Sequence, residues 1–546
     1  MTQSELEKLV LSRILEEKAR SLKGQIFLKF KEGEMTYGEV KDIVNRVTRG
    51  LAAQGVMPRD HVAVMLPNCA EFLYVIFALA ELGAVAVPVN TAYKGEILRH
   101  VLHSSDSSLL IIDESLLDVI APLKDHLPDL RSVVVRKNHP ASRLVPRFPW
   151  PVIPFEQLLS FRNETSKPLV RYCDLQAVMY TSGTTGPSKG VMTPHALALT
   201  CARDSLKYLA YEPGETIYCP IPLFHAAALW DGAMTALLGG ASIALVERFS
   251  ASRFWEDVRH FNANVAMGVF SMIPILMNRP PVPTDRDHGL RAFYVGKSAL
   301  DEAFRERFGV RSVETYTSTE AGIGTGSPYG RWRPGSCGQA NDEIYEVKIV
   351  DEDDREVGSG EEGEMVLRPR LPFVITTGYY KFPQATADTF RNLWFHTGDR
   401  AYRDADGYFY FVERIQDCIR RRGENISAFE VEQVVNSHPM VVESAAFGVP
   451  SELEEEEVKV AVVLQEGADH DYEGLVVHCQ ERLPYFMVPR YIEFVGELPK
   501  TPIGKNSKHE LRIRGDHGIT AATWDRDRVM GRLGNPQTGK DKGGKT

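Results

Sequence analysis

The sequence predicts an α/β protein. It reads as a large multi-subdomain N-terminal body, with mostly parallel sheets covered by helices and a small β-rich subdomain, followed by a small α+β C-terminal domain. Three observations carry this reading. Short apolar runs alternate with helical patterns up to about residue 310, short strands with acidic turns take over from about Gly338, and the pattern starts afresh after Arg414. Strand–helix alternation favours a parallel sheet, because the crossover helices cover its faces. A chain of 546 residues, at about 150 per domain, allows two to four domains.

Taken in order, Met1 to Arg20 mixes Glu and Lys with apolar residues at helical spacing, an amphipathic helix without the apolar core of a signal peptide. Val62 to Leu66, Ala84 to Val89, Leu109 to Asp113 and Ser132 to Val135 read as buried strands; Glu71 to Leu82 and Lys94 to His103 read as helices. The most apolar stretch, Phe72 to Val89, is broken by Glu81, Gly83 and Pro88, so it reads as a core helix and a strand rather than a membrane span. Prolines 140, 146, 149 and 151 mark a surface loop. Tyr345 to Val350 opens the β-rich part, Ser427 to Glu430 is a capping-box pattern, and Val458 to Leu464 is a strand. The domain limits read as 1–413, a hinge at 414–417, a compact unit at 418–515 and a partly disordered tail at 516–546.

Composition narrows the function classes. Lys plus Arg number 63 against 73 Asp plus Glu, a net charge of −10, so no bulk positive field exists to draw nucleic acid. Seven scattered cysteines without a C-x-x-C pair give no disulfide framework, and a reducing cytoplasmic compartment is expected.

One string carries chemistry. The strand signal Asp174 to Tyr180 runs into Thr181, Ser182, Gly183, Thr184, Thr185, Gly186, Pro187, Ser188, Lys189 and Gly190. Glycines let backbone N–H groups turn inward around an anion, hydroxyls add donors, and Lys189 brings a mobile cation. A helix after Pro194, with Leu199, Ala202, Leu206 and Leu209 on one face, adds a favourable dipole at its start. The spacing is not that of the common G-x-x-x-x-G-K nucleotide loop. On composition alone, a plain turn-rich surface loop remains open.

The full string resembles the signature loop of the adenylate-forming superfamily, which holds acyl-CoA synthetases, peptide-synthetase adenylation domains and luciferases. Further motifs follow in order: Pro222 to Ala226, Tyr316 to Glu320, Trp394 to Asp399, Arg414, Gly423 to Asn425 and Pro499 to Lys505. Singly, Asp399 reads as a turn aspartate, Glu320 as a helix-start carboxylate, His225 as a core histidine and Lys505 as a solvated lysine. Their shared order turns the balance toward function.

The resemblance implies an AMP-forming carboxylate–CoA ligase using ATP, Mg²⁺ and coenzyme A. Its catalytic set would be Lys505, Thr181, Glu320 and His225, with the metal at Thr181 and Glu320. Residues 181–186 and Lys189 would hold phosphates; Tyr316, Thr317 and Thr319 would border the nucleotide; Asp399 and Arg414 would meet the ribose. His225, Trp230, Phe270, Ser298 and Gly322 would line the acyl pocket. Lys505 would reach the α-phosphate, and rotation of a mobile C-terminal lid would replace it with the Gly423 segment for thioester formation. Departures from the family pattern are Thr317, Lys297, Arg422 and, at the hinge, Gln416. The triplet Arg420 to Arg422 reads equally as a coenzyme A phosphate site or a solvated run.

Only 31 residues follow Gly515, too few for a carrier domain, so a stand-alone ligase is favoured over a peptide-synthetase module. Phe254-Trp255, Pro283 to His288 and Glu306 to Val310 look like the crotonobetaine/carnitine-CoA ligase subgroup. The expected partners are a small carboxylic acid, ATP and coenzyme A, with no nucleic acid and no membrane span, in a monomer or homodimer. A luciferase-like oxygenase, another thiol acceptor and a silent nucleotide binder are the alternatives.

Overall fold

The computed structural model describes residues 1–137, 150–161, 168–181, 187–269, 271–295, 300–331, 333–414, 418–452, 455–465, 467–499, 506 and 508–533. The chain forms two compact units. One comprises Met1–Thr91, Val101–Tyr180 and Lys189–Ile415; the other comprises Ala92–His100, Thr181–Ser188 and Gln416–Thr546. The break after Ile415 lies in the segment read as a hinge, whose residues 415–417 fall outside the described ones.

The first unit holds two seven-stranded sheets. One runs Val152–Pro154, Ser132–Arg136, Leu109–Asp113, His61–Met65, Val85–Pro88, Leu175–Thr181, Lys189–Pro194. Its first six strands pair in parallel. The other runs Arg311–Val313, Ala292–Tyr294, Val265–Met267, Thr216–Cys219, Ser242–Leu245, Ile26–Phe30, Gly33–Thr36, with only the last pair antiparallel. The helix Ala70–Leu82 is apolar all round and buried almost throughout, as a helix covering a parallel sheet must be. It stops at Gly83, whose φ of +65° is a left-handed cap that residues with a Cβ adopt at a cost. The expected strands lie within a residue or two of the observed ones.

Two details differ from expectation. The N-terminal amphipathic stretch is two helices, Gln3–Leu6 and Leu11–Ser21. The helix His195–Leu209 buries both of its faces, because its polar side, Cys201, Asp204 and Ser205, is hydrogen-bonded inside the protein. The β-rich part is antiparallel: Tyr345–Val350, Gly363–Pro369, Trp394–Arg403, with Phe390–Arg391 and Phe409–Arg414 on the third of these. Thr315–Ser318, Gly322–Gly326 and Gln339–Ala340 form a smaller sheet.

The second unit contains the hairpin Cys418–Arg421/Glu424–Ser427 and a four-stranded sheet, Val441–Pro450, Glu456–Leu464, Tyr491–Phe494, Trp524–Asp525. The last strand corrects the reading of 516–546 as tail. Trp524 stacks on Tyr472 at 5.2 Å, and the fully buried Arg526 donates to the carbonyls of Val488 and Pro489. Those contacts anchor the chain through this stretch; residues 534–546 lie outside the described ones. The capping box is only half made: Ser427 Oγ accepts from the Glu430 N–H, but the Glu430 carboxylate accepts instead from Ser188, at 2.7 Å from Oγ and 3.1 Å from N.

Candidate active site

The site grows from one crossing in the first unit. The strand Lys189–Pro194, which follows the 181–190 loop, exchanges backbone hydrogen bonds with residues 376–380: Met192 N to Gly378 O at 2.9 Å and Tyr380 N to Gly190 O at 2.8 Å. This ladder fixes Tyr379. Its hydroxyl donates to Glu320 Oε1 at 3.0 Å, and the Lys189 ammonium lies 5.4 Å from the centre of its ring. Glu320 is held from behind as well, its carbonyl accepting from the Thr376 N–H at 2.7 Å. A carboxylate, a phenol and a lysine therefore converge at the start of the strand Lys189–Pro194.

Asp399 is anchored separately. Tyr316, buried on the strand Thr315–Ser318, donates its hydroxyl to Asp399 Oδ2 at 2.5 Å. The Asp399 N–H reaches Thr397 Oγ1 at 3.1 Å, and Thr397 in turn donates to Met365 O at 2.6 Å. In the same ladder Asp399 is the register partner of Arg414. Glu364 braces this strand with His396 Nδ1 at 2.8 Å and the Gly398 N–H at 2.9 Å. Burial alone would raise the Glu364 carboxyl, but those hydrogen bonds, with His396 and Arg391 nearby, hold it below the usual carboxylate range.

His225 and Trp230 lie at an unusual turn of helix. Pro222 to Ala226 leads into a π-helix, Ala227–Met234, which carries Trp230 fully buried; His225 is half-buried at its start. The Asn68 side chain pins this segment, accepting from Leu223 N at 2.7 Å and donating to Ile221 O at 2.8 Å and Val246 O at 3.0 Å. Gly322 has φ +61°, and a Cβ there would lie 3.3 Å from the Cys201 Cβ. Thr317 is exposed and its hydroxyl bonds Thr315 at 3.0 Å.

In the second unit, Gly423 has φ +83° at the turn of the 418–427 hairpin. Neither reading of the arginine triplet describes Arg421. It is buried, paired with Glu457 at 2.6 Å and donating to Phe486 O at 2.7 Å, so only Arg420 and Arg422 are exposed. Ser182, Gly183, Thr184, Thr185, Gly186, Phe270, Lys297, Ser298, Gln416 and Lys505 lie outside the described residues, as does the side chain of Arg414.

The sequence reasoning missed Tyr379, Asn68 and Asp231. Nothing in the sequence marks Tyr379 among twenty tyrosines. Asp231 had a signal, an acid inside the otherwise apolar stretch Ala226 to Met234. Among the described residues no helix is long and apolar enough to cross a membrane.

AMP-binding enzyme matches residues 15–380, and AMP-binding enzyme C-terminal domain matches 430–505. The crotonobetaine/carnitine–CoA ligase of Salmonella choleraesuis (strain SC-B67) is 32% identical over 489 residues, 88% of this chain and 93% of that protein. Among solved structures, the o-succinylbenzoate CoA synthetase of Bacillus subtilis is 25% identical at TM-score 0.79, covering 92% of this chain and 99% of that one. The anthranilate CoA ligase AuaEII is 26% identical at TM-score 0.70, covering 94% and 98%. The chain belongs to the AMP-binding enzyme family, as an AMP-forming acid–thiol ligase that uses ATP and coenzyme A.

Proposed function

We propose that the residues assembled around Glu320 and Asp399 activate a small carboxylic acid as its acyl-adenylate, and that the acyl group then passes to the thiol of coenzyme A. A carboxylate is a poor acyl donor, since its leaving group would be oxide. In the first step a carboxylate oxygen bonds to the α-phosphorus of ATP, the bridge to the β-phosphate breaks, and pyrophosphate leaves with the electron pair. Two anions must meet, so the site has to neutralise developing charge. Lys189 and Lys505 supply cations, the 181–186 segment with Thr319 supplies donors, and Asp399 with Arg414 orients the ribose. In the second step the thiol sulfur bonds to the acyl carbon, the carbon–oxygen bond to phosphate breaks, AMP leaves and the thiol proton is released. Gly423 borders the thiol, and His225 with Trp230, Phe270, Ser298 and Gly322 surrounds the acyl group.

The donors present suit Mg²⁺. Glu320 is a hard oxygen ligand steadied by Tyr379, and magnesium is commonly held by one or two carboxylates together with substrate phosphates. Glu320 and the Thr181 hydroxyl would hold it, and it would supply charge neutralisation at the phosphates.

The observation that carries the reading is the convergence of Glu320, Tyr379 and Lys189 on the strand leaving the 181–190 string. By likeness to the crotonobetaine/carnitine–CoA ligases, betaine acids belong among the candidate substrates. The test is pyrophosphate release from ATP and Mg²⁺ with short, branched, aromatic, steroid side-chain and betaine acids, with and without coenzyme A. Release coupled to thioester formation is expected with at least one acid. No release with any acid would sink the reading, and release without thioester would point to another acceptor.

A further inference from the structure

The turn that carries Gly423 is built against the backbone preference of one residue. Arg421 and Glu424 are register partners, so Arg422 and Gly423 make a two-residue turn, with φ of +52° and +83°. Two successive positive φ values suit Asn-Gly or Gly-Gly, because a residue with a Cβ is destabilised in the left-handed region. Arginine at the first position therefore needs a hold from outside. The hairpin Cys418–Arg421/Glu424–Ser427 is a two-stranded sheet of its own, and such a ribbon is marginal by itself. Ile419 and Ile426, register partners and both fully buried, fix its middle rather than its tip.

The hold comes from three successive glutamates where the strand Glu456–Leu464 begins. Glu455 Oε2 accepts from the Arg422 N–H, Glu456 Oε2 accepts from the Arg420 N–H at 2.9 Å, and Glu457 Oε2 lies 2.6 Å from Arg421 Nε. Glu457 Oε1 is also 3.5 Å from the guanidinium of Arg422. An acidic run ordinarily reads as a solvated face, yet Glu455 is 8% exposed and Glu457 3%. Gly448 makes room for the arrangement, since a Cβ there would lie 2.2 Å from the Glu456 carboxyl carbon. The three acids divide the work. Glu457 answers the buried Arg421, Glu456 braces the strand before the turn, and Glu455 takes the N–H of the left-handed residue. An N–H bond to a carboxylate is stronger than one to a neutral acceptor.

We propose that Glu455 is a positioning residue for thioester formation: by taking the Arg422 N–H it holds the turn in its left-handed form, and so sets where the Gly423 backbone stands. This rests on the reading of the chain as a ligase in which Gly423 borders the thiol of coenzyme A. Left-handed residues other than glycine persist only where their surroundings hold them, and they gather at functional sites. Without the carboxylate, Arg422 relaxes toward negative φ, the two-residue turn opens, and Gly423 leaves its place. Adenylation has no part in this, because Glu320 and Asp399 are anchored within the first unit. The device is conditional on the side chain at 422. A glycine there would adopt the same turn unaided.

The test is a double-mutant cycle on the two half-reactions, with an acid that the panel above identifies as a substrate. One readout is the burst of pyrophosphate release without coenzyme A; the other is kcat/KM for coenzyme A in thioester formation. Glu455→Ala should lower the second about tenfold and leave the burst unchanged. In the Arg422→Gly background the same change should lower it by less than about twofold. Any contact of the Arg422 side chain with coenzyme A cancels, because the same change is compared in two backgrounds. Glu455→Gln keeps an oxygen for the N–H without the charge and should fall between; it takes the place of the alanine variant if that one is too unstable to assay. Equal loss in both backgrounds, no loss in either, or a fall in both half-reactions together would overturn the inference and leave the ligase reading intact. An unaltered protein that releases pyrophosphate but forms no thioester would overturn it too. Silence with every acid would defeat the ligase reading, and this inference with it.

Discussion

Around Asp399 and Glu320, the described anchors include hydroxyls that donate to the carboxylates, Tyr316 to Asp399 and Tyr379 to Glu320, while the Asp399 N–H donates to the Thr397 hydroxyl. Asp231 is likewise buried and accepts from neutral groups, Cys201 and Ser205, but no Lys, Arg or His pairs with it among the described residues, whereas Arg414 is the register partner of Asp399 and the Lys189 ammonium lies over the ring of Tyr379. The first arrangement fixes two carboxylates through the hydroxyls of two tyrosines. The second, enclosed by packing, keeps a carboxyl protonated to about pH 7. Carboxyl groups within one unit are thus held by similar donors in different electrostatic surroundings.

The largest expected effect tests whether these two arrangements are separable. Asp399→Ala should lower kcat/KM for ATP by at least about 100-fold, since a charge-assisted contact to substrate is lost in a dry site. Pyrophosphate release should fall by the same factor with every acid; a factor that depended on the acid would break the separation. Gly322→Ala should do the opposite. Strain at φ +61° and a Cβ 3.3 Å from Cys201 should shift the ranking of bulky against slender acids by about tenfold, with KM for ATP nearly unchanged. Tyr379→Phe removes one hydroxyl from Glu320, and a loss of about 1 kcal/mol corresponds to roughly fivefold in activity. Titrating Mg²⁺ should show that variant needing more metal, and an unchanged requirement would separate Tyr379 from the metal's carboxylate.

The smallest effect is on stability against pH. The folded Asp231 carboxyl keeps its proton to about pH 7, while the unfolded chain releases it near the ordinary carboxylate value. The folded state therefore binds more protons across that window, and stability falls as pH rises through it. His195 acts from the other side. Burial holds its imidazole neutral down to about pH 3, so below about 6.5 the unfolded chain takes up a proton that the folded one refuses, and stability falls as pH falls. Asp231→Asn should flatten the alkaline side by about 2 °C in unfolding temperature at pH 8, and leave the acid side alone. Scanning fluorimetry at several pH values reads both limbs.

Much of this was legible before any coordinates. The alternation of apolar runs gives the two parallel sheets because covered strands must be apolar on both faces, and the strands at 109–113 and 132–136 follow that rule closely. The nucleotide-directed set was proposed because its order along the chain is a string that can be compared. Tyr379 and Asn68 were not found, since each acts through a single hydrogen-bond set that depends on which strand crosses which. The tail was misjudged because the burial of Arg526 depends on carbonyls 37 and 38 residues away, and no local pattern announces such a pairing. Asp231 was visible as an odd residue, but the neutrality of its partners was not. That is a property of packing.

The link between Ser188 and Glu430 has a consequence in time. Its two partners are 242 residues apart, with Ser188 emerging first from the ribosome. At about 5–20 residues per second, roughly 12–50 s of synthesis separate them. Through that interval the Ser188 amide and hydroxyl have water as their partner in place of the carboxylate. Ser188 reaches this contact only after residue 430 has been made, so a stalled or truncated chain would carry Ser188 without the carboxylate that secures it.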